Sequence, residues 1–187
     1  GKDTGIPGSG WKVEGGFLPS DSTKAYVKLL TYENQLYLGV VVPDKSIGGS
    51  KDFNRHDGLL MAIKDHLNGL FPKPPSEYLY SWWFPDSTTL TPGVMPDFRG
   101  RWGVDTLGVR DSTDVANWDA VTVVKGLTNS DAVPDTSWTV EMRFNLTPMG
   151  YDITTPEGDV VEWNISVYDT DWFWPISVTT FSSNRVW

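Results

Sequence analysis

The chain has 187 residues, a net charge of −9 and no cysteine. The negative charge argues against a nucleic-acid binder, because such proteins gain affinity by neutralising phosphates with lysine and arginine. The absence of cysteine excludes disulfides, thiol catalysis and cysteine zinc sites, and no apolar run approaches the roughly 18 residues that span a bilayer. Ten tryptophans are the unusual feature of the composition, and they predict either a large aromatic core or exposed rings.

The chain alternates apolar and polar residues in short stretches, and none of its longer stretches shows helical periodicity. The clearest pair is a hairpin that turns at Glu33-Asn34, because this polar dipeptide separates two alternating runs. In chain order, strands are predicted over 11–17, 25–32, 35–42, 57–65, 77–84, 120–125, 136–145, 160–169 and 176–181. Residues 85–118 are predicted to form a long irregular region, and residues 146–150 a single helical turn.

This order of short strands and turns predicts an all-β fold. We expect an antiparallel β-sandwich, jelly-roll-like, with long aromatic-rich loops, and a barrel is the alternative. The length fits one domain with one core, so we expect a flexible, glycine-rich N-terminal segment over 1–10 and a single β-sandwich domain over 11–187. The sequence ends before the last strand expected for this fold, which leaves a truncated C-terminus open.

Several residues that could bind a cofactor have simpler interpretations. Met61 occupies an inward position of an alternating strand, which predicts a core residue rather than a haem ligand. His56 and His66 have no third ligand beside them in the sequence, which favours solvated loop positions over a metal site. Trp138 and Trp163 also lie at inward positions of alternating strands, so both are predicted to pack in the core.

Four oxygen-bearing side chains lie around the loop between the strands over 35–42 and 57–65, namely Asp44, Asp52, Asn54 and Asp57. Two interpretations compete for this acidic loop. Asp and Asn commonly form turns by bonding their own backbone. They also supply the oxygen ligands that calcium takes in sets of about six to eight. The spacing does not match an EF-hand loop, so spacing alone favours the turn interpretation.

The order of three sequence motifs carries a family resemblance. They are LYLGVVVPD with DGLLM over 36–61, WTVEMRF over 138–144 and EWNISVYD over 162–169. Together they resemble the family 9 carbohydrate-binding modules and their DOMON-like β-sandwich relatives. Two features depart from that family: only Gly8-Ser9-Gly10-Trp11 remains of its opening segment, and Leu59 and Leu60 stand where an acidic residue is usual.

The resemblance implies a calcium-stabilised sandwich that binds sugar. Its calcium ligands would include Asp44 and Asp57, with Asp52 and Asn54 as further candidates. Members of the family clamp a terminal sugar between two tryptophans from separate loops. By position, one clamp residue would be Trp82 or Trp83 and the other Trp172 or Trp174, with Trp102 as a third candidate. For each ring the alternative is packing in the core or under the long loop.

The leading hypothesis is a non-catalytic carbohydrate-binding module, extracellular or at the cell surface, that is calcium-stabilised and part of a larger polypeptide. Its partner would be an oligosaccharide or polysaccharide. The alternative is a secreted structural subunit of a surface layer or extracellular filament, which assembles with identical subunits by strand or aromatic contacts. We expect no enzyme, because the sequence has no G-x-S-x-G elbow, although its 24 acidic residues leave a glycosidase-type carboxylate pair open.

Overall fold

The computed structural model describes residues 25–51, 56–66, 77–86, 91–102, 109–110, 115–169 and 184–186. The predictions for segment 1–10 and for strands over 11–17 and 176–181 lie outside these residues. Within them the strands are β1 (Tyr26–Tyr32), β2 (Gln35–Pro43), β3 (Gly58–Ile63), β4 (Glu77–Ser81), β5 (Phe98–Trp102), β6 (Val109–Arg110), β7 (Trp118–Lys125), β8 (Ser137–Asn145), β9 (Trp163–Asp169) and β10 (Asn184–Val186). A single 3-10 turn at Thr147–Met149 confirms the predicted helical turn.

The strands form two antiparallel sheets. The four-stranded sheet has the order β1-β2-β8-β7, and the six-stranded sheet has the order β10-β9-β3-β4-β5-β6. Buried side chains of both sheets belong to one hydrophobic core, so the sheets pack face to face. The predicted all-β sandwich is thereby confirmed, whereas its jelly-roll topology stays a prediction.

The core follows from strand alternation, because every second side chain of a strand points to the same face. In the four-stranded sheet, inward residues of β2 stand opposite inward residues of β8, in the pairs Leu36–Phe144, Leu38–Met142, Val40–Val140 and Val42–Trp138. The six-stranded sheet contributes Met61, which is fully buried, and this confirms its prediction as a core residue. Trp138 is likewise buried as predicted, and Trp163 packs partly buried against the same core.

The hairpin predicted at the start of the described chain is confirmed. β1 and β2 pair from Tyr26 opposite Val41 to Tyr32 opposite Gln35, which leaves Glu33 and Asn34 as the two-residue loop. Glu33 adopts a φ of 52°, the left-handed conformation that such tight hairpin loops require.

The irregular region predicted for 85–118 is wrong, because β5 and β6 lie within it and β7 begins at Trp118. β5 reads FRGRW and pairs with β4 along its whole length. Its charged residues hide the alternation that marks a strand. Arg99 takes a position that an apolar side chain would usually fill, and its guanidinium lies 4.5 Å from the centre of the Trp118 ring in a cation–π contact.

The outer face of the six-stranded sheet carries a second, smaller apolar cluster. Leu79 of β4, Phe98 of β5 and Tyr168 of β9 are all buried there, and Leu60 and Trp83 pack partly buried against them. Both faces of this sheet therefore bury apolar side chains, as the aromatic content on both sides of the predicted 77–84 strand indicates.

Candidate functional site

Three aspartates meet where three strands end. Asp44 follows β2, Asp57 precedes β3, and Asp169 is the last residue of β9. The register of β3 and β9, with Gly58 opposite Tyr168, carries Asp57 to the side of Asp169. One carboxylate oxygen of each aspartate lies within 4.8 Å of the others, and all three residues are buried. The structure therefore brings together the predicted residues Asp44 and Asp57 and adds Asp169.

The carboxylates of Asp44 and Asp57 also bind backbone N–H groups of the loop that follows β2. Asp44 accepts hydrogen bonds from the Ser46 backbone N–H at 2.8 Å and from the Trp138 indole Nε1 at 3.2 Å. Asp57 accepts the Gly48 backbone N–H at 2.6 Å. These bonds hold the two carboxylates in fixed orientations.

Two polar side chains from the segment between β7 and β8, Asp135 and Asn129, support the same loop. The two carboxylate oxygens of Asp135 accept the backbone N–H groups of Ile47 at 2.7 Å and Leu127 at 2.6 Å. The Asn129 side-chain oxygen accepts the Gly49 N–H at 2.8 Å. Buried backbone donors must find acceptors, so these two residues fix the loop in its place beneath the three aspartates. No local sequence pattern marks either residue as an acceptor for this loop.

Gly49 lets the loop approach the neighbouring strand end closely. A Cβ atom at this position would lie 1.8 Å from the Trp82 carbonyl oxygen, a distance that no side chain tolerates. The loop backbone therefore packs directly on the backbone around Trp82, and this contact sets where Trp82 and the next residue, Trp83, stand relative to the aspartates.

The donor set of the aspartate cluster suits a hard cation. Calcium prefers carboxylate and carbonyl oxygens, and the three aspartates offer one carboxylate oxygen each. Ionised carboxylates at this separation would repel one another, and a cation among them would offset that repulsion. Histidine and thiolate ligands, which softer metals favour, are absent from the cluster.

An aromatic stack lies beside the cluster. His56 directly precedes Asp57, and its ring stacks on Tyr168, the neighbour of Asp169, with ring centres 4.7 Å apart. On its other side the His56 ring faces Trp83 at 6.4 Å. The prediction of a solvated loop position for His56 is therefore wrong, since this residue is fully buried, whereas His66 is exposed as predicted. Sequence reasoning missed this because both histidines stand among polar residues.

Trp83 is the described tryptophan that combines partial exposure with a fixed orientation near the cluster. Its indole Nε1 donates to the Lys51 carbonyl oxygen at 2.9 Å, and its ring packs on Phe98 with centres 4.6 Å apart. A ring anchored in this way keeps one orientation and loses little conformational freedom when a ligand stacks on it.

The remaining predicted site residues are placed differently. Trp82 is 1% exposed, donates its Nε1 to the Val94 carbonyl and packs edge-on against Trp138, so it cannot stack on a ligand. Strand alternation explains this correction, because Trp82 continues the inward face of β4 on which Tyr78 lies. Other predicted residues lie outside the described part of the chain: Asp52, Asn54, Trp172, Trp174 and the side chain of Trp102.

Fold and site together define an all-β sandwich with a buried cluster of three carboxylates at one end. No protein-family model, no curated protein and no solved structure matches this chain. The likeness to family 9 carbohydrate-binding modules therefore stays a prediction. The residues that the structure describes contain no helix of the length and apolarity needed to cross a membrane.

Proposed function

We propose that this protein is a non-catalytic carbohydrate-binding module, secreted or at the cell surface, whose aspartate cluster binds calcium. The observation that carries the proposal is the position of Trp83, a partly exposed ring held rigid beside buried carboxylates. Calcium holds the loop end in one conformation, and Trp83 offers the sugar a flat aromatic face.

The calcium part rests on the chemistry of the cluster. Asp44, Asp57 and Asp169 join the ends of three strands, so a cation shared among them links both sheets. Asp52 and Asn54 belong to the same loop and remain candidates for further ligands. A cation that only the folded chain binds stabilises the fold by mass action.

The sugar part rests on stacking. The C–H faces of a pyranose ring pack on an indole, while neighbouring polar groups bind the hydroxyls. Stacking on an aromatic side chain contributes about 1–3 kcal/mol for flat partners such as nucleic-acid bases. Trp172, Trp174 and Trp102 stay candidates for the opposing ring of a clamp.

Titration calorimetry against a panel of soluble oligosaccharides tests the proposal, with calcium present throughout. Trp83→Ala should weaken sugar binding at least roughly tenfold, which corresponds to about 1.4 kcal/mol. Trp163→Ala is the matched control, since Trp163 is also partly buried but lies at the opposite end of the sandwich, and it should leave affinity unchanged. A wild-type chain that binds no sugar of a broad panel contradicts the proposal.

A second candidate function is a structural subunit of a surface layer or extracellular filament. The observation in its favour is the edge strand β1, which among the described strands pairs with β2 alone and carries large apolar side chains that are more than half exposed at Tyr26, Leu30 and Tyr32. Such an edge accepts a strand from a neighbouring molecule. This function requires neither calcium nor sugar.

A further inference from the structure

The outer edge strand of the four-stranded sheet is unusually apolar. β1 reads YVKLLTY, with Lys28 as its one charged residue. Four of its side chains are large, apolar and exposed, namely Tyr26 at 61%, Leu29 at 48%, Leu30 at 65% and Tyr32 at 63%. Soluble proteins commonly protect sheet edges with charges, proline or bulges. β1 has none of these protections beyond the one lysine.

Among the strands that the structure describes, one side of β1 has no partner. β1 is the first strand in its sheet, and among the described strands only β2 bonds to it. A two-residue hairpin loop is closed by a hydrogen-bonded pair, here Tyr32 and Gln35. Because bonded and non-bonded pairs alternate, the peptide groups of Val27, Leu29 and Thr31 point away from β2 and toward the free edge.

These outward peptide groups fit a second copy of the same strand. If two β1 strands run antiparallel with Leu29 opposite Leu29, Val27 of each copy stands opposite Thr31 of the other. All three bonded pairs then use outward-pointing groups, which gives about six backbone hydrogen bonds. A shift by one residue would pair an outward group with one already bonded to β2, so the geometry excludes it.

The side chains fit the same register. Tyr26 of each copy stands opposite Tyr32 of the other, and aromatic cross-strand pairs stabilise sheets. Lys28 stands opposite Leu30, so the two lysines do not face each other directly. The four apolar side chains expose on the order of 500 Å² per copy, and the pairing covers the part of this area that lies toward the free edge.

We propose that two copies of this chain form a two-fold symmetric dimer through antiparallel pairing of β1, centred on Leu29, which joins their four-stranded sheets into one eight-stranded sheet. The pairing is closed, because the same edge of both copies is used up, so it builds a dimer and would supply only one of the contacts that a layer or filament needs. The dimer requires neither the aspartate cluster nor Trp83, because none of these residues lies on β1.

Sedimentation velocity of the full chain over a range of concentrations tests the dimer. Wild type should dimerise with a dissociation constant in the micromolar range. Leu29→Lys and Leu29→Glu should each be monomeric, because the symmetry places two like charges directly opposite each other. An equimolar mixture of the two variants should regain the dimer, since the introduced ammonium group of one copy then faces the introduced carboxylate of the other. Leu29 is about half exposed, so both variants should fold, which circular dichroism checks.

The control is Val121→Lys, at a somewhat more exposed apolar position on β7 at the other edge of the same sheet, and it should leave the dimer intact. The proposal is overturned if the wild-type chain stays monomeric at several hundred micromolar, whatever the reason for the missing contact. It is also overturned if Val121→Lys dissociates the dimer as strongly as Leu29→Lys, or if the mixture of Leu29 variants stays monomeric.

Discussion

The two ends of the sandwich are held together by different chemistry. At one end three buried aspartates, Asp44, Asp57 and Asp169, collect the ends of three strands. At the other end a neutral amide, Asn34, joins the hairpin loop to the segment after β8. Buried carboxylates need a compensating charge, whereas the other end, termed the neutral end, is joined by the uncharged hydrogen bonds of Asn34 and by the Lys64–Glu162 ion pair, whose two charges cancel. This difference predicts that calcium stabilises the aspartate end of the molecule and leaves the stability of the other end unchanged.

At the neutral end Asn34 makes four hydrogen bonds. The Asn34 side-chain N–H₂ donates to the Thr147 hydroxyl at 2.8 Å and to the Tyr151 carbonyl at 2.7 Å, and its side-chain oxygen accepts the Ile153 N–H at 3.0 Å. Its backbone carbonyl also accepts the Leu146 N–H at 3.0 Å. These groups carry no net charge, so we expect their contribution to be independent of metal ions.

Asn34→Ala should produce the larger of the two effects expected at the neutral end. The substitution removes three side-chain hydrogen bonds and leaves partly buried groups without them, so the free energy of unfolding should fall by roughly 3 kcal/mol. The loss should be the same with calcium and with a chelator. Urea unfolding in both conditions measures it, and Asn164→Ala, an exposed asparagine on β9, should change stability by less than about 0.5 kcal/mol. A loss that appears in only one of the two conditions would erase the proposed contrast between the ends.

Tyr151→Phe should produce a smaller, pH-dependent effect. The Tyr151 hydroxyl donates to the Lys64 carbonyl oxygen at 2.7 Å, and its removal should cost about 1 kcal/mol. Burial raises the pKa of Tyr151 above the ordinary value of 10.0. The unfolded chain therefore loses this proton first, so the advantage of the wild type is complete below pH 10 and shrinks as the pH rises through the folded-state pKa. Paired unfolding curves from pH 8 upward check this, and a difference that grows above pH 10 would have the wrong sign.

Most strands could be predicted from the sequence because their alternation is undisturbed. β2 and β8 place apolar side chains at every second position, so burial of one face follows directly. β5 could not be predicted because arginines stand at positions where apolar residues would reveal the period, and the contact of Arg99 with Trp118 depends on a strand that is distant in the sequence.

The candidate site was predictable only where local motifs mark it. Asp44 and Asp57 each adjoin a recognisable strand, but Asp169 joins them through the register of β3 and β9, which no local pattern shows. Asp135 and Asn129 bind loop N–H groups that are 88 and 80 residues away in the sequence. An Asp at the end of each of several neighbouring strands is the signal that could have suggested the three-residue cluster.

The most direct test of this account is a calcium titration followed by thermal unfolding of the chelator-treated chain. At a calcium concentration of about one hundred times the dissociation constant, binding adds about 2.7 kcal/mol to the free energy of unfolding. This should raise the melting temperature of the wild type by roughly 5–10 °C. Asp57→Asn keeps an acceptor for the Gly48 N–H but removes a charge from the cluster, so it should lose most of this rise. Glu157→Gln makes the same charge change at an exposed position at the opposite end of the sandwich and should keep the rise. A wild-type melting temperature that does not respond to calcium would contradict the account.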